Sequence, residues 1–346
     1  MSVLACPLPF TADEFIVLGH GSGGRLSARL MEDVFLPAFR NPALERGDDQ
    51  GVFDAPAGRM AMSTDSYVVK PLFFPGGNIG ELAVYGTVND LAVGGATSKY
   101  LSVGFILEEG LPLDLLRRIV DSMSNAAQRC GVEIITGDTK VVEKSSGDQV
   151  FINTAGVGFI PNGVDYSAAH VRPGDKIVLS GSLGEHGITI LTQREGLELG
   201  GELRSDAAPL HELCAAVSSA APGLHAMRDL TRGGLSSALN EIAQRSQTGI
   251  VIDERAIPVR EDVRGACELF GLDPLYVANE GKMIAFVPEA EAETAVAAMR
   301  ANEYGAQARI IGQVTAKHPK MVTMRTLLGT ERIVDMLAQD QLPRIC

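Results

Sequence analysis

Hydrophobic and polar residues alternate along the first half of the chain in a way that predicts both helices and strands. The turn "GHGSGG" (Gly19 to Gly24) precedes the stretch "RLSARLMEDVFLPAF", whose apolar residues have the spacing of one helix. The segment "GVFDAPAGRMAMSTDSYVV" predicts a hairpin whose second strand lies at about Met60 to Thr64. A helix over Ile79 to Gly95, a strand "YLSVGFIL", a helix "LDLLRRIVDSMSNAAQRCG" and the strands "VEIITGDTKVV" and "VFINTAGVGFI" follow. This order predicts an α/β sandwich with helices on one face of a mixed or antiparallel sheet.

The second half repeats this alternation loosely, so we expect two similar α/β halves. The turn "RPGD" (Arg172 to Asp175) precedes the strand "KIVLSG", and "MRDLTRGGLSSALNEIAQRS" predicts a loop followed by a helix. Further strands are predicted at "GIVIDE", "MIAFV" and "ARIIGQV", and helices at "VRGACELFG" and "EAETAVAAMRAN". After Gly329, "ERIVDMLA" predicts a short helix before the last residues.

Charge and composition exclude several classes of function. The formal net charge of -13 repels nucleic acid phosphates and anionic membranes. The five cysteines are far apart and form no C-x-x-C pair, which indicates a reducing compartment. No signal-peptide pattern or long apolar run occurs, so we expect a soluble cytoplasmic protein. No H-x-x-x-H, H-E-x-x-H or G-x-S-x-G pattern occurs either, which disfavours zinc and serine hydrolases.

Acidic residues recur where strands end or helices begin. The motifs are "GDDQG" (Asp48, Asp49), "STDSYV" (Asp65), "VNDLAVGG" (Asp90), "TGDTKVV" (Asp138) and "VANEGKM" (Glu280). Taken singly, each carboxylate is more typical of a cap or a turn. Taken together, they suit a hard cation such as Mg²⁺, whose shell a nucleotide triphosphate would complete.

Glycine-rich stretches suit close approach to a phosphate. They are "GHGSGG", which contains Gly23 and Gly24, "FFPGGNIG" and "DLTRGGLSS". In the third, Thr231, Arg232 and Gly233 precede a predicted helix, whose N-terminal N–H groups favour an anion. No Walker A sequence and no G-x-G-x-x-G after a strand is present. Glycine pairs that merely close helices are the competing interpretation.

The cysteines divide by position. Cys130, Cys214 and Cys267 lie in helical apolar patterns and are predicted to be small buried residues. Cys6 has no assigned role, and His20 is predicted to be structural. Cys346 lies at the end of a tail that can reach into a pocket, and the neighbouring Arg344 would lower the pKa of its thiol, although the terminal carboxylate opposes this shift. A chance terminal cysteine is the alternative.

These motifs together resemble a known enzyme family. The stretches "MSTDSYVVKPLFFPGGNIGELAVYGTVNDLAVGG", "YLSVGFILEEGLP", "TGDTKVVEK", "FINTAGVG", "TRGGL", "CELFGLDPLYVANEGK" and "PRIC" are similar to the HypE carbamoyl dehydratases, which are hydrogenase maturation factors. The resemblance implies the α/β (α+β) fold of the aminoimidazole ribonucleotide synthetase-like ATP-binding superfamily. It also implies a homodimer in which the N-terminal halves form a barrel.

The resemblance also implies a division of the chain. Residues 1–45 would form the N-terminal Gly-rich loop and helix, and residues 46–162 the ATP-binding and dimerisation domain. Residues 163–330 would form a C-terminal α/β domain. Residues 331–346, here called the tail, would be mobile and carry the reactive cysteine.

The chemistry implied by the resemblance takes place on the protein's own thiol. A carbamoyltransferase, HypF, would carbamoylate Cys346, and ATP-dependent dehydration would convert the thiocarbamate to a thiocyanate. Cyanide would then pass to iron on a HypC and HypD scaffold, as a ligand for NiFe hydrogenase.

The same resemblance assigns roles to residues. Cys346 is the modified thiol, Glu280 the general base, and Asp90 and Lys140 lie near the reacting group. Positions implied around Mg²⁺ are Asp49, Asp65, Asp90 and Asp138. Positions implied around ATP are Asp65, Asp138, Asp229, Arg232, Gly233, Gly23 and Gly24.

Three alternatives remain at this stage. Selenophosphate synthetases share the fold and ATP use, but they usually carry a reactive Cys or selenocysteine in the N-terminal Gly-rich loop, and "GHGSGG" has no thiol. A kinase of the thiamine monophosphate type fits the acidic motifs but leaves Cys346 without a role. A non-catalytic scaffold whose tail docks into a partner is the third.

Overall fold

The apolar runs of the first half form a four-stranded mixed sheet in the computed structural model, which describes residues 11–48, 50–197, 202–337, 342 and 344–346. The strand order is β1-β6-β4-β5, in which β4 and β5 are parallel and the other pairs antiparallel. The strands are β1 (Arg59–Tyr67), β4 (Thr97–Glu108), β5 (Glu133–Val142) and β6 (Val150–Ile160), and a small hairpin contains β2 (Phe73–Phe74) and β3 (Gly77–Asn78).

Helices cover one face of this sheet, as predicted. They are α1 (Arg25–Leu30), α2 (Leu36–Phe39), α3 (Pro42–Glu45), α4 (Ile79–Val93) and α5 (Leu113–Cys130), and a π-turn over Met31–Phe35 joins α1 to α2 in one continuous helix. The Asn78 side chain caps α4 by accepting from two backbone N–H groups. Nearly every residue of α4 is buried, because it lies between the first sheet and elements of the second half.

The other face of the first sheet is uncovered in the single chain. Alternate residues of each strand point to opposite faces, and the outward set includes the exposed side chains of Met60, Met62 and Ile106. We call this surface the open face. It combines exposed apolar side chains with the polar Asp138 and Lys140 of the edge strand β5.

The second half forms a seven-stranded sheet with helices on both faces. The strand order is β13-β12-β9-β11-β7-β10-β8, and only the β9 and β12 pair is parallel. Its strands are β7 (Lys176–Leu179), β8 (Ala226–Asp229), β9 (Gly249–Asp253), β10 (Met283–Val287), β11 (Arg309–Thr315), β12 (Val322–Arg325) and β13 (Glu331–Ile333). Its helices are α6 (Glu185–Glu195), α7 (His211–Ala220), α8 (Gly234–Ser246), α9 (Glu261–Phe270) and α10 (Ala292–Arg300).

Three separate cores hold these layers together. Helix α8 packs on one face of the second sheet, and α7 and α10 pack on the other. Helices α6 and α9 instead contribute to the core of the first half. The two halves are therefore joined through buried apolar contacts, and Cys130, Cys214 and Cys267 are buried as predicted.

Three local predictions are wrong, and the first is the loop predicted at "MRD", where strand β8 pairs with β10. No strand precedes β1 within residues 50–58, and β1 pairs with β6 instead of closing a hairpin, because the Pro and Gly of that stretch interrupt regular pairing. The predicted helix at "ERIVDMLA" begins as strand β13, which pairs with β12 across a tight turn. Tertiary pairing here overrides helical propensity.

Candidate active site

A cleft of about 780 Å³ lies between the two halves. Its volume is in the range of sites that hold a small organic ligand. The lining includes three of the carboxylates singled out in the sequence, Asp65, Asp90 and Asp229, together with Arg232. Asp65 projects inward from β1, Asp90 lies in the last turn of α4, and Asp229 ends β8.

Asp90 and Asp229 are poorly solvated, and the charge of Asp65 acts on both of them. Burial, followed by the charge of Asp90, raises the pKa of Asp229, while Arg228 opposes the shift. Burial also raises the pKa of Asp90, although Ser63 Oγ donates a hydrogen bond to Asp90 Oδ2 at 2.7 Å. A cation between these groups would relieve their repulsion.

The carboxylates do not form a closed metal site by themselves. Within the described ranges, no group of three His, Cys, Asp or Glu side chains converges closely enough to hold an ion. An open set of a few carboxylates suits Mg²⁺, which keeps several waters and takes further oxygens from phosphates. The residues present therefore fit a Mg²⁺ ion that arrives with a nucleotide.

The loop before α8 borders the same cleft. Gly233 and Gly234 both have positive φ values of 76° and 57°, and a β-carbon at Gly233 would lie 2.1 Å from Ser237 Oγ. Only glycine fits such a turn without strain. Arg232, which precedes it, points toward Asp65, with Nη2 3.7 Å from Asp65 Oδ1.

Glu280 lies at the inner end of the site and is only 4% exposed. The neighbouring Asn279 holds its loop in place: the side chain accepts from Gly184 N at 2.7 Å and donates to Leu230 O at 3.0 Å. These two bonds tie the Glu280 loop to the start of α6 and to the end of β8. Atom Oε1 of Glu280 is buried and has no hydrogen-bond partner among the described residues.

The Cys346 thiol lies beside the Glu280 carboxyl group, so that each group acts on the pKa of the other. Burial, with the charges of Asp206, Asp229 and Asp65, raises the pKa of Glu280 well above its usual range. Burial, followed by the charge of Glu280, raises the pKa of the Cys346 thiol, and Arg232 opposes this shift. Because each ionised group raises the pKa of the other, the thiol and the carboxyl group do not ionise together and instead share a proton.

The expected effect of Arg344 on the thiol is wrong. Its Nε forms an ion pair with Asp148 Oδ2 at 3.0 Å, and the pKa of Cys346 is raised instead of lowered. The physical reason is that burial outweighs the effect of any neighbouring cation.

A buried ion network behind Glu280 was missed by sequence reasoning. Lys282 Nζ lies 3.1 Å from Asp206 Oδ2 and 3.5 Å from Glu185 Oε2. Asp206 also accepts from the backbone N–H groups of Glu280 and Gly281. Burial alone would raise the pKa of Asp206, but the charge of Lys282 and the hydrogen bond from the Glu280 N–H hold it below its usual range. This charged pair fixes the backbone that carries Glu280.

Other predicted site residues lie at the opposite edge of the first sheet. Asp138 and Lys140 form an exposed ion pair of 3.4 Å on β5, at the far edge from Asp65. Three strand spacings, about 14 Å, separate the two edges. Gly23 and Gly24 lie in the N-terminal turn, which packs against β5, since a β-carbon at Gly21 would lie 2.5 Å from Val141 N. Within one chain, the predicted site residues therefore lie in two separate groups.

Three residues singled out in the sequence need separate mention. Asp49 and Cys6 lie outside the described residues. His20 is buried, and its Nδ1 accepts from Val17 N at 3.0 Å, while burial lowers its pKa. These contacts match a structural role.

Comparisons with known proteins agree on one relationship. Residues 47–160 match the family AIR synthase related protein, N-terminal domain, and residues 172–324 match AIR synthase related protein, C-terminal domain. The chain is similar to carbamoyl dehydratase HypE of Cupriavidus necator, with 54% identity over 332 residues that cover 96% of this chain and 95% of that protein.

Two solved structures extend the likeness to the fold. The hydrogenase maturation protein HypE in complex with ATP matches with a TM-score of 0.92 and 50% identity, covering 95% of this chain and 99% of that one. A chain of a HypE and HypF complex matches with a TM-score of 0.79 and 44% identity, covering 89% of this chain and 99% of that one.

Proposed function

This chain belongs to the carbamoyl dehydratase HypE family, and we propose that it dehydrates an S-carbamoyl group on its own Cys346 to a thiocyanate with ATP. The observation that carries the proposal is the contact between the Cys346 thiol and the buried Glu280, beside a cleft lined with carboxylates. A kinase or a selenophosphate synthetase would have no use for that contact. The experiment that tests it measures the intact mass of the protein after incubation with the carbamoylating partner, its carbamoyl donor and Mg·ATP, and compares the parent with Cys346→Ala and Glu280→Gln.

The reaction requires that oxygen leave the carbamoyl group. Transfer of a phosphoryl group to the carbamoyl oxygen forms an O–P bond, breaks the γ-phosphate bond of ATP and releases ADP. The C–O bond then breaks with loss of phosphate, and the carbon gains a triple bond to nitrogen. Both N–H protons must leave the nitrogen, and Glu280 is the base nearest the thiol. Binding geometry and charge neutralisation supply most of the catalysis in such transfers.

Residues of the cleft have separate tasks in this proposal. Arg232 faces the thiol and Asp65, where it can neutralise charge on a transferring phosphoryl group. Asp65 and Asp90 would hold Mg²⁺, which supplies further charge neutralisation when bound. The Gly233 turn at the start of α8 leaves room for phosphate oxygens.

We expect Asp90→Asn to weaken Mg²⁺-dependent ATP binding about 10-fold or more, because the variant removes a ligand charge without changing shape. Isothermal titration with ATP, with and without Mg²⁺, checks this. Asp121→Asn on the exposed side of α5 is the matched control and should bind like the parent protein. Equal Mg²⁺-dependent affinity in Asp90→Asn and the parent would contradict the assignment.

A homodimer formed through the open face would complete the site. The exposed apolar side chains of that face need cover, and Asp138 and Lys140 lie on it instead of near Glu280. A partner subunit could then bring these residues toward the cleft. This proposal explains why one chain divides the predicted site residues into two groups.

We expect Met62→Asp to convert the dimer into a monomer, because Met62 is 74% exposed on the open face and a carboxylate there would be buried without a partner. Sedimentation velocity at micromolar concentration measures the change. Leu328→Asp is the matched control, since Leu328 is 92% exposed outside the open face. A parent protein that sediments as a monomer would overturn the dimer proposal.

Partners and location follow from the same chemistry. We propose that a carbamoyltransferase of the HypF type loads Cys346 and that a HypC and HypD scaffold receives the cyanide, in the cytoplasm. Within the described residues, no helix is long and apolar enough to cross a membrane.

A further inference from the structure

Residues at the end of the tail occupy a groove along the first half of the protein. Ile345 forms an antiparallel bridge with Val69, and Lys70 N donates to Arg344 O at 3.2 Å. Arg344 pairs with Asp148, and Ile345 is 5% exposed. The contacts thus involve both the backbone and the side chains of this segment.

Leu342 occupies an apolar site formed where α6 passes close to the Glu280 loop. Leu342 is 7% exposed and belongs to the core of the first half. A β-carbon at Gly187 would lie 3.2 Å from Leu342 Cδ1 and 2.6 Å from Val277 Cγ1. Glycine at this position of α6 therefore leaves room for the leucine.

His186 makes the most specific contact with this segment. The side chain is fully buried, its Nε2 lies 2.6 Å from Ile345 O, and its Nδ1 lies 2.7 Å from Ser205 Oγ. A carbonyl oxygen only accepts, so Nε2 carries the proton and donates it, and Nδ1 accepts from the Ser205 hydroxyl. Ser205 Oγ in turn accepts from Ala207 N at 3.1 Å. This chain of bonds holds the imidazole in one tautomer and one orientation.

We propose that His186 is a positioning residue for the tail of its own chain: the hydrogen bond from its Nε2 to the Ile345 carbonyl fixes the tail in this groove so that the next residue, Cys346, meets Glu280. The reason for holding Cys346 beside Glu280 rests on the proposed function, but docking of the tail in the groove can be tested without any turnover.

Alkylation of Cys346 in the full-length protein measures how often the segment leaves the groove. The docked thiol is partly buried beside Glu280 and reacts more slowly than the undocked thiol, so the rate at low reagent concentration rises with the undocked fraction. Iodoacetamide is the probe, and peptide mass analysis assigns the label to Cys346 rather than to another cysteine. Unfolding temperature of each variant is recorded in parallel.

The expected result separates His186 from a merely structural histidine. His186→Asn retains an acceptor for Ser205 but cannot reach Ile345, and loss of one such hydrogen bond raises Cys346 alkylation about 3- to 10-fold. His186→Gln places an N–H near the position of Nε2 and should restore slow alkylation. His318→Asn, in the turn before β12, carries the same substitution far from the tail and should react like the parent.

A second variant tests the groove from the side of the tail. Leu342→Ala alters only the tail residue and should raise alkylation in the same direction as His186→Asn. If both variants fold like the parent and both alkylate at its rate, the groove proposal is overturned. If alkylation responds as expected but no dehydrated product forms in the parent, the groove stands and the proposed function fails.

Discussion

Cys346→Ala is expected to yield no dehydrated product under conditions in which the parent protein forms it completely. The carbamoyl group needs a thiol to carry it, and the methyl group of alanine offers no nucleophile. The protein is incubated with the carbamoylating partner, its carbamoyl donor and Mg·ATP, and intact mass is measured. The parent should gain a carbamoyl group and then lose the mass of one water, while the variant should keep its original mass.

The fold should survive this substitution, because Cys346 is only partly buried and only its short segment depends on the contact. Circular dichroism and sedimentation should match those of the parent. Cys267→Ala on α9 is the matched control: it removes a buried thiol outside the cleft and should still give the dehydrated tail. A dehydrated product in Cys346→Ala, or loss of that product in Cys267→Ala with the fold intact, would place the modified thiol elsewhere.

The prediction of secondary structure succeeded where local pattern and tertiary packing agree. The helix Ile79–Val93 and the strand Met283–Val287 are strongly apolar between clear start and stop signals, and both are confirmed. The segment after Gly329 has a helical composition, yet Glu331–Ile333 pairs with β12. Such a pairing depends on a strand that the local pattern does not identify as a neighbour.

Only the motifs allowed the residues of the candidate site to be predicted from the sequence. Asp65, Asp90 and Asp229 meet in one cleft because β1, α4 and β8 converge, and no spacing in the sequence specifies that convergence. Asp206 gave no signal because it lies in a loop 74 residues before the Glu280 N–H that it accepts. Lys282 lies within "NEGK", so its nearness to Glu280 was visible, but its role in holding Asp206 was not.

The same limit explains why the role of His186 and the separation of the site residues into two groups were not predicted. His186 lies 159 residues before the carbonyl that it contacts, and a lone histidine in a helix is more often structural than functional. Asp138 and Lys140 share one motif with each other, yet they lie at the opposite edge of the sheet from Asp65 in one chain. In the dimer proposed above, these residues would act together across a subunit interface, and such an arrangement leaves no pairing signal in a single sequence.

Glu280→Gln is expected to lower the rate of dehydration by about 10²- to 10⁴-fold, the usual contribution of a positioned general base. Glutamine keeps the size of the side chain but cannot take a proton from the carbamoyl nitrogen. ATP binding and carbamoylation of Cys346 should persist, because neither step needs that base. Single-turnover mass analysis of a carbamoylated tail, after addition of Mg·ATP, separates these steps. Asp121→Asn, already introduced on α5, serves again as the control and should dehydrate at the parental rate.

The pH dependence of the parent provides a second test of the same residue. Because burial raises the pKa of Glu280, its ionised form is depleted at a higher pH than for an ordinary glutamate, so the dehydration rate should fall as pH drops through that raised value. The residual dehydration rate of Glu280→Gln should not show this fall at low pH.

Stability should respond to pH in the opposite direction from activity. The folded protein binds the Glu280 proton more tightly than the unfolded chain, so the free energy of unfolding falls as pH rises above the ordinary glutamate value of 4.5 and levels off above the folded pKa. Glu280→Gln removes that slope, which urea unfolding across the same pH range measures.

A Glu280→Gln variant that turns over normally, or whose dehydration rate falls at low pH as in the parent, would show that a different group removes the N–H protons. The carboxylate of Asp206 is a poor substitute, because its pairing with Lys282 holds it ionised and directed at the backbone, so a base at that position would have to break the bonds that fix the Glu280 loop.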